Sequence, residues 1–208
     1  MTFRPVSPQG LADAIVAGLP TGTVRVAIDG PPCAEPGAVA DSVLDALAGR
    51  RRAAHVRAEL FWRDASLRFE YGKQDVESYL TWLDSDALQR EVLRPVLRGR
   101  YLPSLRDPRT NRSTREVPRD APPGTVLIVS GAFLLGQGLD LDRSVHLAVS
   151  PAARRRRTAE DEAWTLPAFD QYDRTVRPGD VADVVVRYDD PRHPALAHGF
   201  QGRADCTP

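Results

Sequence analysis

Lysine is nearly missing from this chain: Lys73 is the only one among 28 Lys and Arg residues, so arginine supplies every other basic side chain. A site that grips anions through lysine is therefore excluded everywhere except around Lys73. Net charge is also missing, since 28 acidic residues balance the 28 basic ones. That balance gives no electrostatic support to a general nucleic-acid or membrane-surface role, and neither partner is expected. No apolar run approaches the ~20 residues needed to cross a bilayer. The N-terminus lacks the basic start and apolar centre of a signal peptide. Cysteine is scarce, and Cys33 and Cys206 lie far apart without pattern. Free thiols in a reducing cytoplasm are the expectation. The histidines His55, His146, His193 and His198 show no metal-ligand spacing, so no metal site is expected from them. There is no internal repeat.

What is present is enough for one domain with a substantial core: 208 residues, 42% hydrophobic and 27% charged. Ser7-Pro8 has the form of an N-cap followed by proline at the first helical position, which predicts a helix reaching Leu19. Residues 23–28 form a β-branched run and predict a first strand. Beyond a Pro/Gly-rich loop, Val39, Val43, Leu44 and Leu47 recur at helical spacing over 38–47. Further strands are predicted at 55–61, 125–129, 145–149 and 181–186. Helices are predicted from Asp84, with a bend at Pro95, and over 154–164. Residues 99–124, polar and rich in Arg and Pro, read as an excursion over one face. Apolar strands alternating with helices imply an α/β fold, a parallel five-stranded sheet with helices on both faces. One domain over 1–195 and a loose tail over 196–208 are expected. Ligands of such sheets bind beyond the C-terminal ends of the strands.

The loop after the first strand falls where a phosphate-binding G-x-x-x-x-G-K-[ST] motif would work. There, backbone N–H groups and a helix N-terminus cradle phosphate, while lysine and a hydroxyl serve the terminal phosphates and Mg²⁺. Gly30 matches the first glycine. Glu35 stands at the second glycine, Pro36 at the lysine and Gly37 at the hydroxyl. An ordinary strand-to-helix connection is the plainer reading of this loop taken alone.

Segments elsewhere, in matching order, resemble the uridine kinase family. Val24-Arg25-Val26-Ala27-Ile28-Asp29-Gly30 is similar to its first strand. Glu59-Leu60-Phe61-Trp62-Arg63 resembles its Asp-Asp-Phe-Tyr segment. Ser130-Gly131-Ala132-Phe133-Leu134-Leu135 resembles its Glu-Gly-x-Phe-Leu-Leu segment. Pro167-Ala168-Phe169, Tyr172, Pro178 and residues 181–186 resemble its stretch after the lid. The resemblance spans about residues 20–195. It implies the P-loop NTPase fold, a nucleoside-type substrate such as uridine or cytidine, and Mg-ATP as cofactor if the chain is active.

By that resemblance, Gly30, Cys33, Ala34, Glu35, Pro36 and Gly37 form a degenerate phosphate loop. Its prolines lack N–H groups and its glutamate adds negative charge where polyanions belong. A like charge at ~4 Å costs about 4 kcal/mol at an effective dielectric near 20. Glu35 is expected to occupy the phosphate pocket as an internal anion, and Ser130 replaces an acidic residue near the metal. Glu59 matches the family's general base; a solvated glutamate at a strand end is the alternative. Phe61 and Trp62 are candidates to stack on a base, with core packing as the competing role. Arg63, Arg68, Arg106, Arg112 and Arg115 are candidate anion contacts or simply surface, and Asp107 is aligned with a nucleoside-contacting segment. Arg154, Arg155, Arg156 and Arg157 fall at the arginine-bearing lid (151–177), and Glu160, Asp161 and Glu162 stand at pairing distance along a helix. Asp84 reads as an N-cap. Three outcomes follow: a ligand-binding relative with ATP-dependent activity lost or strongly reduced, an active kinase that grips phosphate with arginines, or a non-catalytic partner-binding domain.

Overall fold

The computed structural model describes residues 2–197; Cys206, His198 and the rest of 198–208 lie outside the described residues. In chain order the strands are β1 (Phe3–Pro5), β2 (Val24–Asp29), β3 (Ala53–Arg57), β4 (Arg100–Tyr101), β5 (Arg106–Asp107), β6 (Arg112–Ser113), β7 (Arg119–Asp120), β8 (Val126–Gly131), β9 (Arg143–Ala148), β10 (Val184–Arg187) and β11 (Ala195–Ala197). The α-helices are α1 (Pro8–Ala17), α2 (Pro36–Leu47), α3 (Ala65–Arg68), α4 (Val76–Leu80), α5 (Ser85–Leu88), α6 (Pro151–Arg157), α7 (Leu166–Thr175) and α8 (Pro178–Val181).

The main sheet runs β1-β11-β10-β9-β2-β8-β3. The five strands from β10 to β3 are parallel, with Val26 of β2 opposite Ile128 of β8. The parallel five-stranded sheet is thus present. It is extended to seven strands by β11, antiparallel to β10, and by β1, antiparallel to β11. These two additions have three residues each, too few to carry a period, and their pairing joins the chain's far ends. Pro5 is tolerated because it lies in an edge strand, where a missing N–H breaks no ladder.

Each face of the sheet has its own core. Val24, Val26 and Ile28 of β2, with Val126 and Ile128 of β8, pack against α1 and α2. Ala27, Leu127 and Val129 face the opposite layer, formed by Leu88, Val92, Leu93 and Val96. A third, aromatic cluster joins Tyr79, Trp82, Phe133, Phe169 and Tyr172. Ser7 caps α1 by accepting from the Gly10 N–H at 3.0 Å. Asp84 caps α5, accepting from Ala87 at 2.8 Å. The helix from Ser85 widens to a π turn at Gln89–Leu93 and tightens to a 3₁₀ turn at Pro95–Arg98. That bend falls where proline removes a donor.

Several boundaries differ from expectation. The second strand stops at Arg57, and residues 58–61 form a 3₁₀ turn that carries Glu59 to the strand end. The helix expected over 154–164 ends at Arg157, and the chain resumes as a 3₁₀ turn over Glu160–Thr165 and then α7. No ion pair joins Arg154–Arg157 to Glu160–Glu162 among the described residues, because Arg154 turns instead to Asp170 and Asp173 of α7. The last parallel strand starts at Val184, since Pro178–Val181 close a helical turn. The excursion over 99–124 folds as two small ribbons, β4 with β7 and β5 with β6. No helix among the described residues is long and apolar enough to cross a membrane.

Candidate active site

The loop between β2 and α2 lies beyond the C-terminal end of the central strand. Asp29, fully buried at the end of β2, accepts from the Leu134 N–H at 2.9 Å and from His146 Nδ1–H at 2.7 Å. These bonds pin the loop's start to the turn after β8. Gly30 donates to the Gly131 carbonyl at 3.0 Å, and a Cβ there would lie 2.9 Å from that of Leu147, so the position needs glycine.

The loop then turns through a short 3₁₀ segment, Pro32–Ala34, to Glu35 at φ 51° and ψ 55°. That left-handed conformation is one in which glycine is unstrained. Ala34 donates to the Pro31 carbonyl at 2.8 Å and Glu35 to Pro32 at 2.9 Å. The donors can therefore be accounted for one by one. Pro31, Pro32 and Pro36 have no N–H, and those of Gly30, Ala34 and Glu35 serve backbone carbonyls. Only Cys33 and Gly37 are left to offer an N–H to a ligand. The Glu35 side chain is exposed and lines the cleft beside the loop; no hydrogen bond from its carboxylate to the loop is found among the described residues.

That cleft has a volume of about 460 Å³. The loop from Glu35 to Ala38 forms one wall, Arg57 to Glu59 a second, and Ser130 to Phe133 the floor. Trp62, Tyr79, Trp82 and Leu83 supply an apolar side. The aromatic rings interlock edge to face: Tyr79 and Trp82 are 4.8 Å apart, Trp62 and Trp82 5.1 Å, and Tyr79 and Phe133 5.2 Å. Burial pushes the Tyr79 phenol well above its ordinary pKa, so it stays neutral. The Arg68 guanidinium lies 4.9 Å from the Trp82 ring centre and donates to the Arg63 carbonyl at 2.9 Å, holding the aromatic wall from behind.

Of the residues singled out in sequence, Gly30, Glu35, Pro36, Gly37, Glu59 and Trp62 meet in this cleft. Phe61 is fully buried in the core on the opposite side of its turn, so packing is its role. Arg63 is exposed and lines no wall of the cleft; its N–H bonds to the Trp82 carbonyl at 2.8 Å. Asp107 closes the turn of the β5–β6 ribbon by accepting from Arg109 at 2.8 Å. Arg106 pairs with Asp64 at 3.1 Å, which ties the excursion to α3. The N–H and hydroxyl of Ser66, together with Asn111, hold the exposed Asp64 carboxyl at a pKa of about 2. Arg112 and Arg115 are exposed on the β5–β6 ribbon and beside it.

Two of the four arginines of α6, Arg154 and Arg157, are committed to structural contacts. Arg154, 3% exposed, contacts Asp170 at 2.6 Å and Asp173 at 3.0 Å. Arg157 donates to the Tyr188 carbonyl at 2.7 Å and to the carbonyl of Cys33, clamping the loop to the end of β10. Arg155 and Arg156 remain exposed. Cys33 is half-buried, with that clamp on its backbone.

Sequence reasoning missed Arg57, Tyr79, Trp82 and the partners of Ser130. Arg57 is the cation nearest the start of α2: its Cζ would lie 3.7 Å from a Cβ at Gly37. Its only signal was a place at a strand end two residues before Glu59. Ser130 Oγ lies 2.7 Å from His55 Nε2, and His55 Nδ1 lies 2.9 Å from Asp41 Oδ1. That chain joins three elements distant in sequence, and nothing local announces it.

No protein-family model matches the chain, and no curated protein matches it. Solved structures do. A possible uridine kinase from Bacillus stearothermophilus superposes with a TM-score of 0.70 at 17% identity, over 86% of this chain and 96% of that one. A provisionally assigned fructose transport system kinase from Silicibacter sp. TM1040 gives a TM-score of 0.53 at 21% identity, over 79% of this chain and 89% of that one. Likeness at such identities speaks to architecture: the chain has the fold of the uridine-kinase-like P-loop kinases.

Proposed function

We propose that this protein binds a nucleoside-type small molecule in the Glu59 cleft and that its ATP-dependent phosphoryl transfer is lost or strongly reduced. The observation that carries the reading is the donor inventory of the loop. Phosphoryl transfer is almost entirely positioning and charge neutralisation. Here two N–H groups remain for phosphates, no lysine is present, and Glu35 and Glu59 both face the cleft. Mg-ATP therefore does not fit the residues present. No group of three or more His, Cys, Asp or Glu side chains suited to a metal ion occurs among the described residues. The ligand side is better equipped, with the half-buried Glu59 beside Trp62 and Trp82 to accept a hydroxyl proton and face a planar base. The cytoplasm is the proposed compartment.

A second reading has one specific support. Arg57 stands at the start of α2, where a guanidinium would meet a phosphate bidentately. An arginine-assisted kinase would use that residue rather than the lid run. Calorimetry separates the two. The first reading expects binding of uridine or cytidine, weakened at least tenfold by Trp82→Ala, and no micromolar binding of Mg-ATP. Micromolar Mg-ATP binding, with nucleoside turnover abolished by Glu59→Gln or Arg57→Ala, would establish the kinase instead.

A further inference from the structure

The hydrogen-bonded chain beneath the loop has the composition and order of a nucleophile, a base and an orienting carboxylate. Asp41 lies on α2, His55 on β3 and Ser130 at the end of β8. A carboxylate can only accept, so the neutral imidazole carries its proton on Nδ1 and donates a hydrogen bond from it to Asp41 across 2.9 Å. Nε2 is then free to accept from the Ser130 hydroxyl at 2.7 Å. Burial holds the His55 pKa below its ordinary value; Arg57, 3.7 Å from Asp41, acts the same way, and Asp41 and Glu59 oppose it, so the ring is a neutral base at pH 7. Ser130 forms part of the cleft floor. Ser130 is 1% exposed there, and Gly37 keeps side-chain bulk off its hydroxyl: a Cβ at that position would lie 3.8 Å from Ser130 Oγ. The Gly37 N–H, in the first turn of α2, has no acceptor within the helix, and the Arg57 guanidinium stands alongside.

We infer that Asp41, His55 and Ser130 form an acyl-transfer relay opening on this cleft, with small uncharged carboxylic esters as substrates. The aromatic wall suits an acyl or aryl group, and the carboxylates of Glu35, Glu59 and Glu162 around the cleft disfavour anionic substrates. Ser130 Oγ bonds to the ester carbonyl carbon while its proton passes to His55 Nε2. The Gly37 N–H and Arg57 face the oxyanion that forms. The C–O bond to the leaving group then breaks, and the departing alkoxide takes the proton from His55. Water attacks the acyl-serine, His55 receiving its proton and returning it to Ser130 Oγ as the carboxylic acid departs. Phosphoryl transfer plays no part, so this activity stands or falls independently of nucleoside binding.

The test uses the full chain with p-nitrophenyl acetate and p-nitrophenyl butyrate, and labelling by a fluorophosphonate followed by peptide mapping. Expected are saturable turnover with an initial burst and an adduct on Ser130. Ser130→Ala and His55→Gln should each lose about 10²-fold or more. Asp41→Asn should lose less, because the Asp41 side chain is 56% exposed. The rate should be low where His55 is protonated and should rise to a plateau with a midpoint below ~6.5. Ser130→Cys, which keeps a nucleophile, should retain the burst and exclude misfolding as the cause of loss in Ser130→Ala. A wild-type rate in Ser130→Ala, an adduct confined to other residues, or the absence of both turnover and labelling would overturn the relay.

Discussion

At the scale of single residues, the loop puts a side chain where glycine would be unstrained. Glu35 is held at φ 51°, a conformation that costs a residue with a Cβ roughly 1–2 kcal/mol. Glycine at that position would carry no such penalty, at the cost of a more flexible unfolded chain. Glu35→Gly should therefore raise stability by about 1 kcal/mol, some 2–4 °C in Tm for a chain of this size. Glu35→Ala, which keeps the Cβ, should gain little, and thermal unfolding of the two variants provides the comparison. The identity of each loop residue was legible in sequence; the left-handed turn at Glu35 was not. Ser130 makes the same point from the other side. Its place at the head of the Ser130–Leu135 segment could be read from the chain, but its bond to His55, 75 positions away, could not.

At the scale of elements, the arginine run of α6 looks uniform in sequence and is not uniform in space. A helix turns 100° per residue, so four successive side chains meet four different environments. Arg154 points inward to α7 and packs 5.5 Å from the Phe169 ring. Arg157 reaches the loop and β10, while Arg155 and Arg156 face solvent. Arg154→Ala should destabilise the protein by about 2–3 kcal/mol, since it removes two charge-assisted bonds from a buried site. Arg156→Ala should stay within ~0.5 kcal/mol of wild type. Equal effects of the two substitutions in thermal or urea unfolding would contradict this division of roles. The same logic explains why the helix expected over 154–164 breaks at Thr158: the contacts to Asp170 and Asp173 bring α7 back across α6, which an uninterrupted helix would prevent.

At the scale of the whole molecule, a kinase-like fold surrounds a loop that has two free N–H groups and no lysine. Supplying the groups of a phosphate-binding loop tests the proposed reading. The triple substitution Glu35→Gly, Pro36→Lys, Gly37→Ser returns one N–H, one cation and one hydroxyl and removes one carboxylate. It should bring Mg-ATP binding into the micromolar range in calorimetry. No gain would place the deficit more widely, with the Arg157 clamp on Cys33 as the next candidate.

What the sequence by itself determined is local in origin: the strands predicted at 23–28 and 125–129, the capped starts at Ser7 and Asp84, the apolar face of α2, and the lack of lysine in the loop. Each depends on neighbours within one or two turns, and propensity, capping and proline chemistry act at that range. Only the tertiary structure decided the edge pair β1–β11, the aromatic wall of Tyr79 and Trp82, the place of Arg57 and the Asp41–His55–Ser130 chain. These join residues that are distant along the chain, and their contacts exist only once the parallel sheet sets its strand order and register. No period or motif in one segment encodes which other segment will lie beside it.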